Sequence, residues 1–172
     1  MVYMKVIDGK GEEVPRDTVG ELLVYSPMMM SGYRNRPEAT SEVLRDGWYR
    51  TGDLAKQDAD GFFYIVDRAK DMIISGGENV YSAEVELALL KHPAIVMAAV
   101  IGIPDQNWGE KVTALVVPKP GMEISEGELQ QHCRAYLAGY KVPKTVLFET
   151  SLPLTPSGKV QKAPLRERFR SH

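Results

Sequence analysis

The sequence predicts an α+β chain in two parts, and three observations predict it. Residues 1–66 carry short strand patterns separated by turn signals, with a single helix. Residues 71–172 alternate longer apolar runs with helical segments. Between them, Asp67-Arg68-Ala69-Lys70 is a charged joint inside a stretch that is otherwise apolar. A charged joint between two apolar strands suggests a chain leaving one packed unit and entering another. The same pattern also spells an ordinary hairpin with a salt-bridged turn.

The first part begins with a strand over 2–7, closed by the turn Asp8-Gly9-Lys10-Gly11. A second strand over 20–26 stops before Pro27, and Val14 to Asp17 is loop. Met28-Met29-Met30 reads as core filler ahead of an adaptable ligand surface, because methionine fills irregular gaps. A short helix opens at Arg36-Pro37-Glu38, with Pro near its first turn and Glu just inside it. It is expected to run to Arg45 and to stop at Asp46-Gly47. Thr51-Gly52-Asp53 reads as a glycine turn. Strands over 55–57 and 61–66 flank the hairpin signal Asp58-Ala59-Asp60-Gly61. About 60 residues bury only a modest fraction of their surface.

The second part opens with a strand over 72–75. A helix over 82–91 presents Val85, Leu87, Ala88, Leu89 and Leu90 as its apolar face, with Glu84 and Glu86 near its start. His92-Pro93 ends it. The near-continuous apolar runs 94–103 and 111–117 read as buried strands. Ser125-x-x-Glu128 matches a capping box, its helix running to Ala138 with Gly139 at the end. A strand follows over 145–149, then a proline-bounded loop over 152–160 and a basic helix over 162–170. This predicts two or three strands with helices packed on one face.

Composition bounds the chemistry. The chain has 172 residues, 44% hydrophobic and 26% charged, which are globular values. A net charge of −2 points away from nucleic acid and anionic membranes. The one cysteine, Cys133, excludes an internal disulfide and reads as a buried structural thiol. His92, His132 and His172 have no metal-ligand spacing, so no metal site is expected. No apolar run reaches the ~18 residues of a membrane span. Residues 1–8 lack the apolar centre of a signal peptide, and a reducing, cytoplasmic setting is the default.

Three polar spots stand out. Asp53 follows Thr51-Gly52, and a carboxylate held there can accept two hydroxyl hydrogen bonds from a ribose diol. The same spelling serves as a plain turn. Asp67-Arg68-Ala69-Lys70 precedes Ser75-Gly76-Gly77-Glu78, whose glycines permit a sharp turn or a close approach. Lys159 sits on Ser157-Gly158-Lys159, where a proline-bounded loop can deliver a point charge to a phosphate or carboxylate. A solvated turn lysine has the same sequence.

Taken together, Tyr49-Arg50-Thr51-Gly52-Asp53-Leu54, then Asp67 to Tyr81 (DRAKDMIISGGENVY), then Leu154-Thr155-Pro156-Ser157-Gly158-Lys159 resemble the C-terminal third of an adenylate-forming (AMP-dependent) acyl-CoA synthetase, of the fatty-acid or aryl-acid CoA ligase type. Gly32 to Thr40 and Trp108-Gly109-Glu110 fit as well. The resemblance covers essentially the whole chain. It implies that residues 1–66 are the last, β-barrel-like subdomain of the N-terminal domain, 67–70 a hinge, and 71–172 the mobile C-terminal lid domain.

The resemblance further implies a two-step reaction. ATP and a carboxylic acid give an acyl-adenylate and pyrophosphate, and the CoA thiol then displaces AMP. Asp53 is implied to bind the ribose hydroxyls, Arg68 the ribose or phosphate, Lys70 to be the hinge residue, and Lys159 to be the adenylation lysine. Ser75, Gly76, Gly77 and Glu78 are implied to form the loop that meets the pantetheine arm of CoA. Ser82 stands where the family usually has proline and is expected to act as an N-cap. The family's phosphate loop, adenine pocket, magnesium-binding glutamate and acyl tunnel belong to a large N-terminal domain absent from these residues. The chain alone is therefore expected to be inactive, and residues 1–66 to self-associate through exposed edges. The alternative is a non-enzymatic regulatory or binding module derived from such an enzyme.

Overall fold

The computed structural model describes residues 1–169. The chain divides into two compact units, Met1–Lys70 and Asp71–His172. The α+β class holds, and each unit is built on its own five-stranded sheet.

In the first unit the strands are β1 (Tyr3–Ile7), β2 (Gly20–Tyr25), β3 (Leu44–Arg45), β4 (Trp48–Gln57) and β5 (Phe63–Arg68). All pairings are antiparallel, in the order β1-β2-β4, with β3 and β5 sharing the far edge of β4. Val6, Leu22 and Ala55 form the buried cluster, with Val14, Val24 and Phe63 packed against it. The helix α1 (Pro37–Val43) has the expected proline start, but it ends two residues early. Leu44 and Arg45 instead pair with Tyr49 and Trp48 around Asp46-Gly47, both at positive φ (50° and 79°). This is the mirror-image two-residue turn that suits strand twist, and it captures the helix end. Met28 is 85% exposed, so it does not fill a core.

The second unit contains β6 (Ile73–Ser75), β7 (Glu78–Val80), β8 (Ile95–Asp105), β9 (Gly109–Pro118) and β10 (Thr145–Phe148). Its helices are α2 (Ser82–Leu90), α3 (Glu126–Arg134) and α4 (Lys162–Glu167). β9 is central, antiparallel to β8 and parallel to β10, and it meets β6 at Ser75↔Gly109. The two or three expected strands become five because the β6–β7 hairpin joins the same sheet.

The sheet is covered on both faces, not one. Ala98, Val100, Val112, Ala114 and Val116 pack with Val85 and Leu89 of α2 and Leu129 and Cys133 of α3. On the alternate positions, Ala99, Ile101 and Leu115 pack with Leu152 and with Leu165 of α4. Successive residues of a strand point to opposite faces, so a continuous apolar run requires cover on both.

Several local expectations are corrected. Leu87 and Leu90 are 64% and 43% exposed, whereas Val85, Ala88 and Leu89 share the buried face at helical spacing. The N-cap of α2 is Tyr81, and Ser82 lies inside the first turn, where its hydroxyl accepts a hydrogen bond from Lys162 Nζ at 2.6 Å. The capping box at Ser125 and Glu128 is formed in full. Its helix stops at Arg134, four residues before the expected end, and Gly139 opens a separate 3-10 turn, Gly139–Lys141. The final helix ends at Glu167, and Arg170 of the expected span lies outside the described residues.

Candidate functional site

Thr51-Gly52-Asp53 is not a turn but a bulge within β4. Residues 51–53 oppose Leu22 alone, since Glu21 pairs with Leu54 and Leu23 with Arg50. Thr51 Oγ1 donates to the Leu22 carbonyl at 2.8 Å and accepts from the Asp53 amide at 3.0 Å. Gly52 takes φ +70°, which a side chain rarely adopts. The bulge re-aims Asp53, as bulges beside functional sites do. Asp53 lies directly opposite Arg68 on β5, and Arg68 Nε sits 2.8 Å from Asp53 Oδ1. The pair is open to solvent, with the Arg68 side chain 56% exposed and that of Asp53 28%.

Tyr49 belongs to this corner, although sequence reasoning gave it no role. Its phenol is held above the ordinary range, chiefly by a hydrogen bond shared with Tyr33 and then by burial. The Arg68 charge opposes that shift and the Asp53 charge adds to it, which places Tyr49 within electrostatic reach of the pair. A shallow groove of about 520 Å³ opens beside Tyr33 and runs along Gly32, Arg36, Thr40 and Leu44. The signal available in the sequence was Tyr49 at the head of the Asp53 motif.

Lys70 is exposed in the 3-10 turn Ala69–Asp71, directly after Arg68 closes β5. Gly76 and Gly77 form the two-residue turn between β6 and β7, at φ 61° and 84°. The Gly76 amide donates to the Trp108 carbonyl at 2.8 Å. A Cβ at Gly76 would come within 3.1 Å of the Trp108 ring, so glycine is needed there twice over. Trp108 in turn lies under Lys144, whose Nζ is 4.9 Å from the ring centre. Ser75 is 2% exposed, and its Oγ has no hydrogen-bond partner among the described residues. Glu78 is exposed at the far side of the turn. Glu110 fixes the hairpin from below, its carboxylate accepting from the Ile74 amide at 2.7 Å.

Lys159 stands on a compact hairpin. The Gly158 amide donates to the Thr155 carbonyl at 2.9 Å, and the Thr155 amide to the Lys159 carbonyl at 2.7 Å. Pro156 occupies the second turn position, and Gly158, at φ +83°, supplies the left-handed residue that completes a three-residue loop. Thr155 Oγ1 also accepts from the Lys159 amide at 3.0 Å. The side chain is exposed, and among the described residues no acidic group lies within 4 Å of its ammonium. A rigid loop thus presents an uncommitted cation. Cys133 is fully buried, and burial pushes its thiol up to about 11, which makes it structural.

Among the described residues no cluster of three or more His, Cys, Asp or Glu side chains could hold a metal ion, and no helix is long and apolar enough to cross a membrane.

Residues 84–159 match the family of the AMP-binding enzyme C-terminal domain. The chain is 55% identical over 159 residues to a feruloyl-CoA synthase from an Amycolatopsis species, covering 92% of this chain and 32% of that protein. It is 44% identical over 171 residues to the medium/long-chain-fatty-acid–CoA ligase FadD8 of Mycobacterium tuberculosis, covering 95% and 30%. ATP-bound MatB from Rhodopseudomonas palustris superposes with a TM-score of 0.90 at 41% identity, over 98% of this chain and 34% of that one. By fold and by sequence the second unit is similar to the C-terminal domain of AMP-binding enzymes. Residues 84–159 belong to the AMP-binding enzyme C-terminal domain family, and over nearly its whole length the chain is similar to acid–CoA ligases. It spans about a third of the length of the curated relatives it matches.

Proposed function

We propose that this chain is the C-terminal part of an ATP-dependent acid–CoA ligase, which converts a carboxylic acid, ATP and CoA into acyl-CoA, AMP and pyrophosphate. The observation that carries the reading is Lys159, an unpaired ammonium on a proline- and glycine-locked hairpin inside the matched domain. As a carboxylate attacks the α-phosphate, negative charge gathers on the phosphate oxygens, and a fixed cation lowers the barrier there.

Asp53 and Arg68 fit a ribose and its phosphate. Arg68 engages one carboxylate oxygen of Asp53, which leaves the other to accept a hydroxyl, while the exposed guanidinium keeps donors for a phosphate. Lys70 is the hinge, and the second unit turns about it as a lid between the two half-reactions. The lid then presents Ser75, Gly76, Gly77 and Glu78 to the pantetheine arm of CoA. Two glycines at positive φ let a thin chain pass close to the backbone, while Ser75 is buried behind the turn. The relatives include an aryl-acid and a fatty-acid enzyme. The acid is either of these classes, since the pocket that would choose it is not among these residues.

The remaining two thirds of such an enzyme would carry the phosphate loop, the acyl tunnel and the magnesium ligands. Without them the isolated chain is inactive, and Met1, Val2, Tyr3, Met4, Phe62, Tyr64 and Ile65 of the first unit stay exposed. Light scattering is expected to show its mass rising with concentration; a constant monomer mass would oppose that point.

The test is complementation. The chain is joined to the N-terminal portion of a related ligase, and pyrophosphate release is followed with a panel of aryl and fatty acids. Activity is expected, with Lys159→Ala slowing it by about 10²–10³-fold, the cost of losing one transition-state electrostatic contact. An active Lys159→Ala enzyme would remove Lys159 from the chemistry. A folded, inactive assembly would favour a regulatory module.

A further inference from the structure

The hairpin that carries Lys159 is closed by its own hydrogen bonds but has few contacts with the rest of the unit. Leu154 to Lys159 are mostly exposed, and the loop's hydrogen bonds are internal or run to its immediate neighbours. What anchors it lies just downstream. The Gln161 amide donates to the Pro153 carbonyl at 2.8 Å, and the next residue begins α4. Lys162 and Arg166 are four residues apart, so they project from one side of this short helix. Lys162 Nζ reaches Glu86 Oε1 at 2.7 Å and Ser82 Oγ at 2.6 Å, with its side chain only 12% exposed. Glu86 also accepts the Val100 amide of β8 at 2.8 Å, so the contact ties α4 to α2 and to the sheet. Arg166 Nη2 meets Asp71 Oδ1 at 2.7 Å, with the two side chains 24% and 14% exposed.

Asp71 is the residue that follows Lys70 and begins the second unit. We infer that the Asp71–Arg166 ion pair, with Lys162 on Glu86 and Ser82, is a strut that sets Lys159 relative to the pivot. Asp71, Arg166 and Lys162 are positioning residues, and this inference rests on the roles given above to Lys70 and Lys159. A lid turning about Lys70 delivers Lys159 accurately only if the arm between them is stiff. Through the backbone that arm is the whole second unit. Through Asp71–Arg166 it is one ion pair and a few residues of helix. The contact is half-buried and charged on both sides, so removing one partner leaves the other desolvated and frees α4 to shift. A shift of about an ångström at a positioning element is enough to cost on the order of 10²-fold in rate.

Two measurements test this. In the 172-residue chain, hydrogen exchange is followed at the bonded amides of Thr155, Gly158, Lys159 and Gln161. Arg166→Gln and Asp71→Asn are each expected to speed their exchange at least tenfold while the β8 and β9 amides keep their protection. Arg166→Lys, which keeps the charge, is expected to restore most of the protection. Unchanged exchange at the loop overturns the strut, and so does equal loss throughout the sheet, which marks a general structural role.

In the chain joined to the N-terminal portion of a related ligase, the two half-reactions are then timed separately. Arg166→Gln is expected to lower kcat of adenylate formation about tenfold with KM for ATP unchanged. CoA transfer to a supplied acyl-adenylate is expected to change less than twofold. Equal slowing of both steps overturns the positioning role. If the unsubstituted assembly is itself inactive, the functional reading fails, and the exchange measurement alone decides the strut.

Discussion

In the first unit the sheet buries Val6, Leu22 and Ala55 as one small cluster and leaves Tyr3, Phe62, Tyr64 and Ile65 exposed. In the second unit the sheet buries Ala98, Val100, Val112 and Val116 on one face under α2 and α3, and Ala99, Ile101 and Leu115 on the other under α4 and Leu152. The first unit has the smaller core and leaves apolar side chains uncovered. The other closes on itself. The polar residues follow the same division. Asp53 and Arg68 lie on strands, set by a bulge and a cross-strand register. Gly76, Gly77 and Lys159 lie on hairpins that project from a closed core. Under the proposed function, Asp53 and Arg68 would be a binding surface fixed in a sheet, and the glycine turn and Lys159 would be groups delivered on loops of a rigid body.

The two units differ most in their cores. Leu129 is completely buried and is one of only two buried residues of α3. Leu129→Ala is expected to destabilise the second unit by about 2–5 kcal/mol, read as a shift of its urea midpoint. Leu22→Ala, in the smaller cluster, should fall at the lower end, about 2 kcal/mol, because fewer neighbours lose contact. Equal losses would mean that the first unit is as self-sufficient as the second.

A smaller effect tests whether local signals or packing hold α3. Ser125 Oγ accepts from the Glu128 amide at 3.3 Å, and Glu128 Oε2 accepts from the Ser125 amide at 2.8 Å. Ser125→Ala is expected to cost about 1 kcal/mol, confined to the second unit's transition. A loss as large as that of Leu129→Ala would mean that the cap, not the leucine, docks the helix.

The smallest effect is on pH. His92 is held below its ordinary value of 6.5, first by burial, then by the nearby His132 ring, with Glu128 opposing. Its Nδ1 accepts the Ala94 amide at 3.2 Å, which requires the neutral ring there. As pH falls through about 6.5, the unfolded chain takes up this proton before the folded chain does. The second unit should therefore lose stability below pH 6.5, and His92→Gln should flatten that slope in a series of melts from pH 7.5 to 5. An unchanged slope in the variant would assign the acid sensitivity to other groups.

The capping box, the Asp58–Gly61 hairpin, the apolar runs of β8 and β9, and the glycine turn at Gly76-Gly77 were legible because each is a local pattern with a local cause. The misreadings share another cause. The helix ending at Val43 lost Leu44 and Arg45 to pairing with β4, and Thr51-Gly52-Asp53 became a bulge because Leu22 lay opposite. Ser82 lies one residue inside the helix, where it accepts a hydrogen bond from Lys162, eighty residues away. Leu87 looked like core in a run where four of five residues are apolar, and only its angular position sent it outward.

The α+β class, the order of the motifs, the sharp turn at Gly76-Gly77 and the proline-bounded loop around Gly158 could be read from the chain alone, since turn chemistry and apolar periodicity act over a few residues. The tertiary structure alone decided that the second sheet is covered on both faces, that Asp53 stands against Arg68, and that Asp71 grips Arg166. Those depend on which strands become neighbours, and that choice is made by burying apolar area across the whole unit, where residues distant in the chain first come within reach of one another.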